Sequence, residues 1–252
     1  MASTDTARPL GRRVPTDWDH VEKFPLTADI LETIKPTPVV IGINWYSNFD
    51  RPVKDSNGSW WIGKDPNNLG TIRGGHCVSL KERGGSRRPV GAYQFYDQGN
   101  EGACVGFGCS QMMSNLNGKL YFARWLWDRA KATDEWSDTN PGDDNGTSVR
   151  AGLNILTKNG HVAWTGSSAQ EAADEDYRLR TNLAADYSEG ISTYRWTRSI
   201  DDTLTVLGYS DVGYVDIMNS WGVYYPRLVR MPAETLDRLW REDGEVGLVT
   251  DR

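Results

Sequence analysis

The stretch Asp97-Gln98-Gly99-Asn100-Glu101-Gly102-Ala103-Cys104, continued by VGFGCSQMMSNLNG to Gly118, decides how the chain is read. Val105, Cys109, Met112 and Leu116 recur at helical spacing and Gly118 supplies a stop, so the segment beginning at Cys104 reads as a buried helix. Cys104 falls in its first turn. The helix macrodipole is positive there and favours thiolate, the nucleophilic form, over thiol. Upstream, Gly99 and Gly102 let the backbone wrap tightly, and Gln98 is placed to aim its amide NH₂ back at the thiol. With the Cys104 backbone N–H, that amide makes a two-donor oxyanion hole.

Toward the N-terminus, Val39–Tyr46 (VVIGINWY), Gly58–Gly63, Gly75–Lys81 and Gly91–Gln98 are short, β-branched and aromatic, the composition of strands. Glu82–Arg88 is a charged connection. Residues 1–37 are polar and punctuated by Pro9, Pro15, Pro25 and Pro36, and read as a strap with a short helix near Asp29–Ile34. Toward the C-terminus, LYFARWLWDRAK (120–131) sets Leu120, Ala123, Trp127 and Ala130 on one face, and after a polar loop Thr147 or Ser148 caps a third helix that Gly160 ends. Residues 165–190 are polar and uninformative. ISTYRWT, GYVDIMNSWG, RLVRM and EVGLVTD then read as strands, and PAETLDRLWRED as a helix opened by Pro232. The order β, α, β gives an α+β chain divided into a strap (1–37), a first β part (38–90), a helical part (91–185) and a second β part (186–252).

A chain of 252 residues is long enough for one two-lobed domain or two small ones. With 28 Lys and Arg against 34 Asp and Glu, the net charge is −6, and the basic residues are scattered, so the footprint of a nucleic-acid binder is missing. No run approaches the ~18 apolar residues of a membrane span. The opening MASTDTARPLGRRVP lacks the apolar stretch of a secretory signal, and three cysteines (Cys77, Cys104, Cys109) are too few and too odd for a disulfide framework. Cytosolic residence in a reducing compartment is therefore expected. Cys77 and Cys109 read as small core residues. Asp143-Asp144-Asn145 lacks the spacing of a calcium loop and reads as a solvated turn, so no metal is expected.

A cysteine nucleophile needs a base, and the chain has His20, His76 and His161. His20 reads as a surface imidazole in the strap and His161 as a helix-end cap. His76 opens a strand after Gly74-Gly75, glycines that leave room for a substrate backbone; its plainer reading is a buried histidine at a strand end. The third member is Asn219 in Asn219-Ser220-Trp221-Gly222, whose side-chain carbonyl would accept from one ring nitrogen and fix the tautomer while the Trp221 indole keeps water off that bond. The other tryptophans, Trp45 and Trp125 among them, read as core. Trp60 and Trp61 read as core with them, an aromatic cleft wall on the hairpin leading to His76 being the alternative.

Together, Gln98 with Cys104 six positions on, Gly102-Ala103-Cys104, Gly74-Gly75-His76 and Asn219-Ser220-Trp221-Gly222 resemble the papain-like cysteine peptidases. Pro38–Gly42 and Gly146–Arg150 look like segments of the bacterial and bacteriophage branch. The resemblance implies that Cys104 is the nucleophile, His76 the general base and then acid, Asn219 the orienter and Gln98 the oxyanion donor, with Gly74, Gly75 and Trp221 lining the substrate. It implies a helical lobe carrying the cysteine and a β-barrel lobe carrying His76 and Asn219, acting on polypeptides without a cofactor. The family's order is Cys, His, Asn. Here it is His76, Cys104, Asn219, and Ser199–Gly213 holds no histidine, so the His strand is expected to have moved ahead of the helical lobe. Glu101 stands where plant and lysosomal members carry a disulfide cysteine, and Tyr224-Tyr225-Pro226 replaces a second Trp-Gly. Two other functions fit the same residues: a catalytically silent structural or binding module, as in a phage particle, which would make the chain virion-associated; and acyl transfer or cell-wall amide hydrolysis by the same pair.

Overall fold

The computed structural model describes residues 27–84, 96–136, 144–164 and 189–251. Most of the expected strap with His20, most of the expected strand at 91–98, Asp143 and residues 165–188 lie outside that set. The described helices are α1 (Ala28–Thr33), α2 (Cys104–Asn117), α3 (Ala123–Lys131), α4 (Val149–Lys158), α5 (Ile200–Leu207) and α6 (Ala233–Arg241). The strands are β1 (Val39–Tyr46), β2 (Val53–Lys54), β3 (Trp60–Trp61), β4 (Ile72–Lys81), β5 (Leu120–Tyr121), β6 (Ala163–Trp164), β7 (Thr193–Trp196), β8 (Tyr214–Met218), β9 (Val229–Pro232) and β10 (Glu245–Asp251).

Strands from before and after the helical segment join in one eight-stranded sheet of order β2-β3-β9-β8-β4-β1-β10-β7, antiparallel except for the β3–β9 pair. β5 and β6 pair separately. The side-chain period of two explains why β1 is apolar along nearly its whole length. Val39, Ile41, Ile43 and Trp45 pack with Val206 and Leu207 of α5 and Leu236 and Leu239 of α6. Val40 points the other way, into the layer of Met112 (α2), Leu126 (α3) and Leu153 (α4). Helices thus cover both faces.

This corrects the expected barrel. The sheet is open, with β2 and β7 as its edges. A barrel buries the inner face of a sheet by closing it on itself; here α5 and α6 bury that face, so closure is not needed. The expected reading also gives Ser199–Gly213 no element, yet it contains α5. Ser199 accepts from the Asp202 N–H, Asp201 and Asp202 stand in the positive first turn, and Gly208 ends the helix at φ 75°.

The helix carrying Cys104 sits against its neighbours at two glycines. A Cβ on Gly106 would lie 2.4 Å from the Ala123 carbonyl oxygen of α3, and one on Gly108 would lie 2.8 Å from Cys77 Sγ of β4. Either contact would push α2 away, an overpacking cost of about 1–3 kcal/mol. Ser148, rather than Thr147, caps α4 by accepting from the Ala151 N–H.

Candidate active site

β4 and β8 are neighbours, with Ser79 opposite Met218. Asn219 is the first residue beyond that ladder, and its Oδ1 lies 2.8 Å from Nε2 of His76, 143 positions away in sequence. The Ser220 backbone N–H also donates to Asn219 Oδ1, at 2.8 Å. An atom that accepts from a backbone N–H is the amide oxygen, so the His76 proton sits on Nε2 and its basic lone pair on Nδ1. The ring is 2% exposed. Trp45 meets it edge-on at 4.7 Å, Trp221 lies over it at 5.2 Å, and the two indoles touch at 5.1 Å. Tyr225 backs Trp221 at 5.1 Å and donates to the Phe49 carbonyl; burial pushes its phenol well above the usual range. Apolar walls of this kind keep water off the His76–Asn219 bond and strengthen it.

Gln98 is tied to the residue after Asn219 by a separate set of bonds. Residues 96–98 lie antiparallel to 220–222: the Gln98 N–H donates to the Ser220 carbonyl at 2.9 Å and the Gly222 N–H to the Tyr96 carbonyl at 3.0 Å. Ser220 Oγ donates to Gln98 Oε1 at 2.7 Å, and Gln98 Nε2 donates to the Glu101 carbonyl at 3.0 Å. The carboxamide is therefore oriented at both ends, and one of its two amide hydrogens is already committed. Cys104 is the first residue of α2, which no side chain caps, and is 5% exposed. None of the three cysteines forms a disulfide. Burial pushes the thiols of Cys77 and Cys109 upward, and the nearby Cys104 adds to both shifts. Cys104 therefore lies within electrostatic reach of Cys77, the residue after His76.

The structure thus joins His76 to Asn219 and Trp221 by direct contacts, ties Gln98 to the intervening Ser220, and places Cys104 in the same buried cluster as Cys77. Gly74 and Gly75 lie buried in the ladder opposite Trp45 and Asn44. Three residues of the site are missing from the sequence expectation. Ser220 stands inside its motif with no partner that the sequence reveals; Trp45 reads as core and Tyr225 only as part of the segment replacing a second Trp-Gly, because the fold alone puts them at His76 and Trp221. The core reading fails for Trp60, which is exposed, and the cleft-wall alternative is not supported for Trp60 or Trp61, because β9 and β8 stand between β3 and β4. His161 is corrected too. It is 0% exposed, accepts from the Val162 N–H at Nδ1, pairs through Nε2 with Ser110 Oγ at 2.7 Å and stacks on Tyr121. Burial lowers its pKa to about 3.

Among the described residues, no group of three or more His, Cys, Asp or Glu side chains is placed to hold a metal ion, and no helix is long and apolar enough to cross a membrane. The fold is similar to that of xylellain, a cysteine protease from Xylella fastidiosa, with a TM-score of 0.48 and 12% identity over 69% of this chain and 92% of that one. It is also similar to digestive procathepsin L 3 of Tenebrio molitor larval midgut, with a TM-score of 0.43 and 14% identity over 66% of this chain and 73% of that one. No family model matches the chain, and no curated protein matches it.

Proposed function

We propose that the chain is a papain-like cysteine peptidase with Cys104, His76 and Asn219 as its triad and Gln98 as an oxyanion donor. The observation that carries this reading is the His76–Asn219 bond, whose acceptor fixes the tautomer and whose neighbour Ser220 grips Gln98 on the loop into α2. Nucleophile, base, orienter and oxyanion donor are four separate requirements of acyl transfer, and packing alone asks for none of them. The Cys104 thiolate adds to the scissile carbonyl carbon, and the oxygen takes up the negative charge beside Gln98 and the helix N–H groups. His76, having taken the Cys104 thiol proton on Nδ1, hands it to the departing amine, leaving a thioester. Water, deprotonated by His76, then releases the acid and restores the thiol. Gly74, Gly75 and Trp221 would border the bound polypeptide.

In this reading the His strand has moved ahead of the Cys helix, so 38–90 and 186–252 form one lobe and 91–185 the other. Chain order differs among unrelated triads of one geometry, so the order here does not oppose the chemistry. The near-complete burial of Cys104 and His76 favours a second reading, a silent module that keeps the constellation for packing. Iodoacetamide near neutral pH followed by peptide mapping separates the two. An activated Cys104 is labelled well before Cys77 and Cys109, whose raised thiols resist ionisation. Equal or reversed labelling, together with no Cys104-dependent cleavage across a broad peptide library, would establish the silent module instead.

A further inference from the structure

Arg124 is the second residue of α3, and a cation in the first turn of a helix opposes the macrodipole. Its contacts lie outside its own helix. Nε donates to the Glu101 carboxylate at 2.6 Å and Nη2 to the Gln98 carbonyl at 3.1 Å. The guanidinium also stands 5.4 Å from the centre of the Phe107 ring, one turn beyond Cys104. The ion pair is largely shielded, with the arginine side chain 11% and the glutamate 16% exposed. Gln98 in turn donates through Nε2 to the Glu101 carbonyl. The loop 98–101 is therefore closed on itself: the Gln98 side chain holds the Glu101 backbone, and Arg124 holds the Glu101 side chain and the Gln98 backbone.

From this arrangement, and resting on the peptidase reading above, we infer that Arg124 is a positioning residue: its two-pronged grip on Glu101 and Gln98 sets the Gln98 amide as oxyanion donor beside Cys104. Ser220, two residues beyond β8, fixes the same carboxamide through its hydroxyl, so the donor is held by two separate segments. The planar guanidinium satisfies two divergent acceptors at once, which an ammonium on a flexible stem does not. Glu101 and Arg124 thereby pin the approach to α2 without a covalent crosslink.

The test compares the parent with Arg124→Met and Arg124→Lys in three measurements: hydrolysis of a peptide amide that the parent cleaves, alkylation of Cys104 by iodoacetamide across pH, and thermal unfolding. Alkylation is a displacement at carbon and needs no oxyanion donor, so it reads the thiolate alone. Arg124→Met is expected to lower kcat by ~10–100-fold, the cost of a donor displaced by about an ångström, with KM within about twofold of the parent. The alkylation rate and its pH profile should stay unchanged. Arg124→Lys keeps stem and charge and should still lose ~10-fold in kcat, so it carries the test if Arg124→Met fails to fold. Unchanged kcat in a folded Arg124→Met, full activity in Arg124→Lys, or alkylation falling in step with kcat would each overturn the inference. A parent with no Cys104-dependent turnover would instead overturn the peptidase reading, and this inference with it.

Discussion

His76 and His161 are matched in most respects that usually mark a functional histidine. Both rings are buried, both are walled by aromatic side chains, and each makes one short side-chain bond through Nε2, to Asn219 at 2.8 Å and to Ser110 at 2.7 Å. They differ at the other nitrogen and in the partner. Nδ1 of His161 accepts the Val162 N–H, so the helical layer holds that ring as a neutral imidazole, and burial drops its pKa to about 3. Asn219 Oδ1 accepts whether His76 is neutral or charged, and its bond is satisfied throughout a proton cycle. Burial and aromatic walls therefore do not separate the two rings; an acceptor that tolerates both protonation states is what the role proposed for His76 requires.

The sharpest way to break this comparison is to remove each group in turn. Cys104→Ala and His76→Ala should each lower cleavage of an unstructured polypeptide by ~10³-fold or more, with circular dichroism unchanged. Asn219→Ala leaves the ring and thiol in place but loses the tautomer lock, and a loss of ~10–100-fold in kcat is expected. A folded His161→Gln protein should cleave normally. If its turnover fell as far as that of His76→Ala, the distinction between the two histidines would collapse.

What could be read from the sequence follows how local each signal is. The Cys104 helix and the Ser148 cap rest on spacing within a dozen residues, and the structure contains both; the strand expected to open at Gly75-His76 instead begins at Ile72, which puts His76 inside it. The meeting of His76 with Asn219 was legible only because each sits in a short motif of its own. The open sheet was not legible, because closure depends on which helices cover which face, and α5 was the missing cover. Its signals were nonetheless present in Ser199, Asp202 and Gly208. Trp45 acquires its place only through pairing with Gly74, a register no local pattern reports.

A smaller effect should separate the histidines by pH. His161→Gln removes the buried ring and disturbs the Ser110 contact, at a cost of ~1–3 kcal/mol near neutrality. The folded pKa of about 3 lies below the unfolded 6.5, so as pH falls the unfolded chain takes the proton first. The His161 contribution is therefore full above pH 6.5, declines by ~1.4 kcal/mol per pH unit below it, and levels off near pH 3. Denaturant unfolding of parent and variant across this window should show the stability gap closing within about two pH units below 6.5 and reversing at lower pH. A gap that stayed constant would mean that His161 ionises in the folded protein as readily as in the unfolded one.

The smallest effect is expected at Trp60, and it tests where the site ends. Trp60 is 37% exposed on β3, its ring facing the Lys54 ammonium at 5.4 Å, and it belongs to none of the buried clusters. Three strand spacings separate β3 from β4 in the order β3-β9-β8-β4, about 14 Å at ~4.8 Å each, whereas Val223 and Tyr224 directly follow the Trp221-Gly222 cover of His76 and are exposed at 72% and 96%. Trp60→Ala should therefore change stability by less than ~0.5 kcal/mol and leave kcat and KM within about twofold of the parent. Tyr224→Ala, three residues after Trp221 and at a solvent-facing position, should raise KM for long peptides more than Trp60→Ala does. If Trp60→Ala raised KM and Tyr224→Ala did not, bound polypeptide would run across the sheet edge rather than past the Trp221 segment.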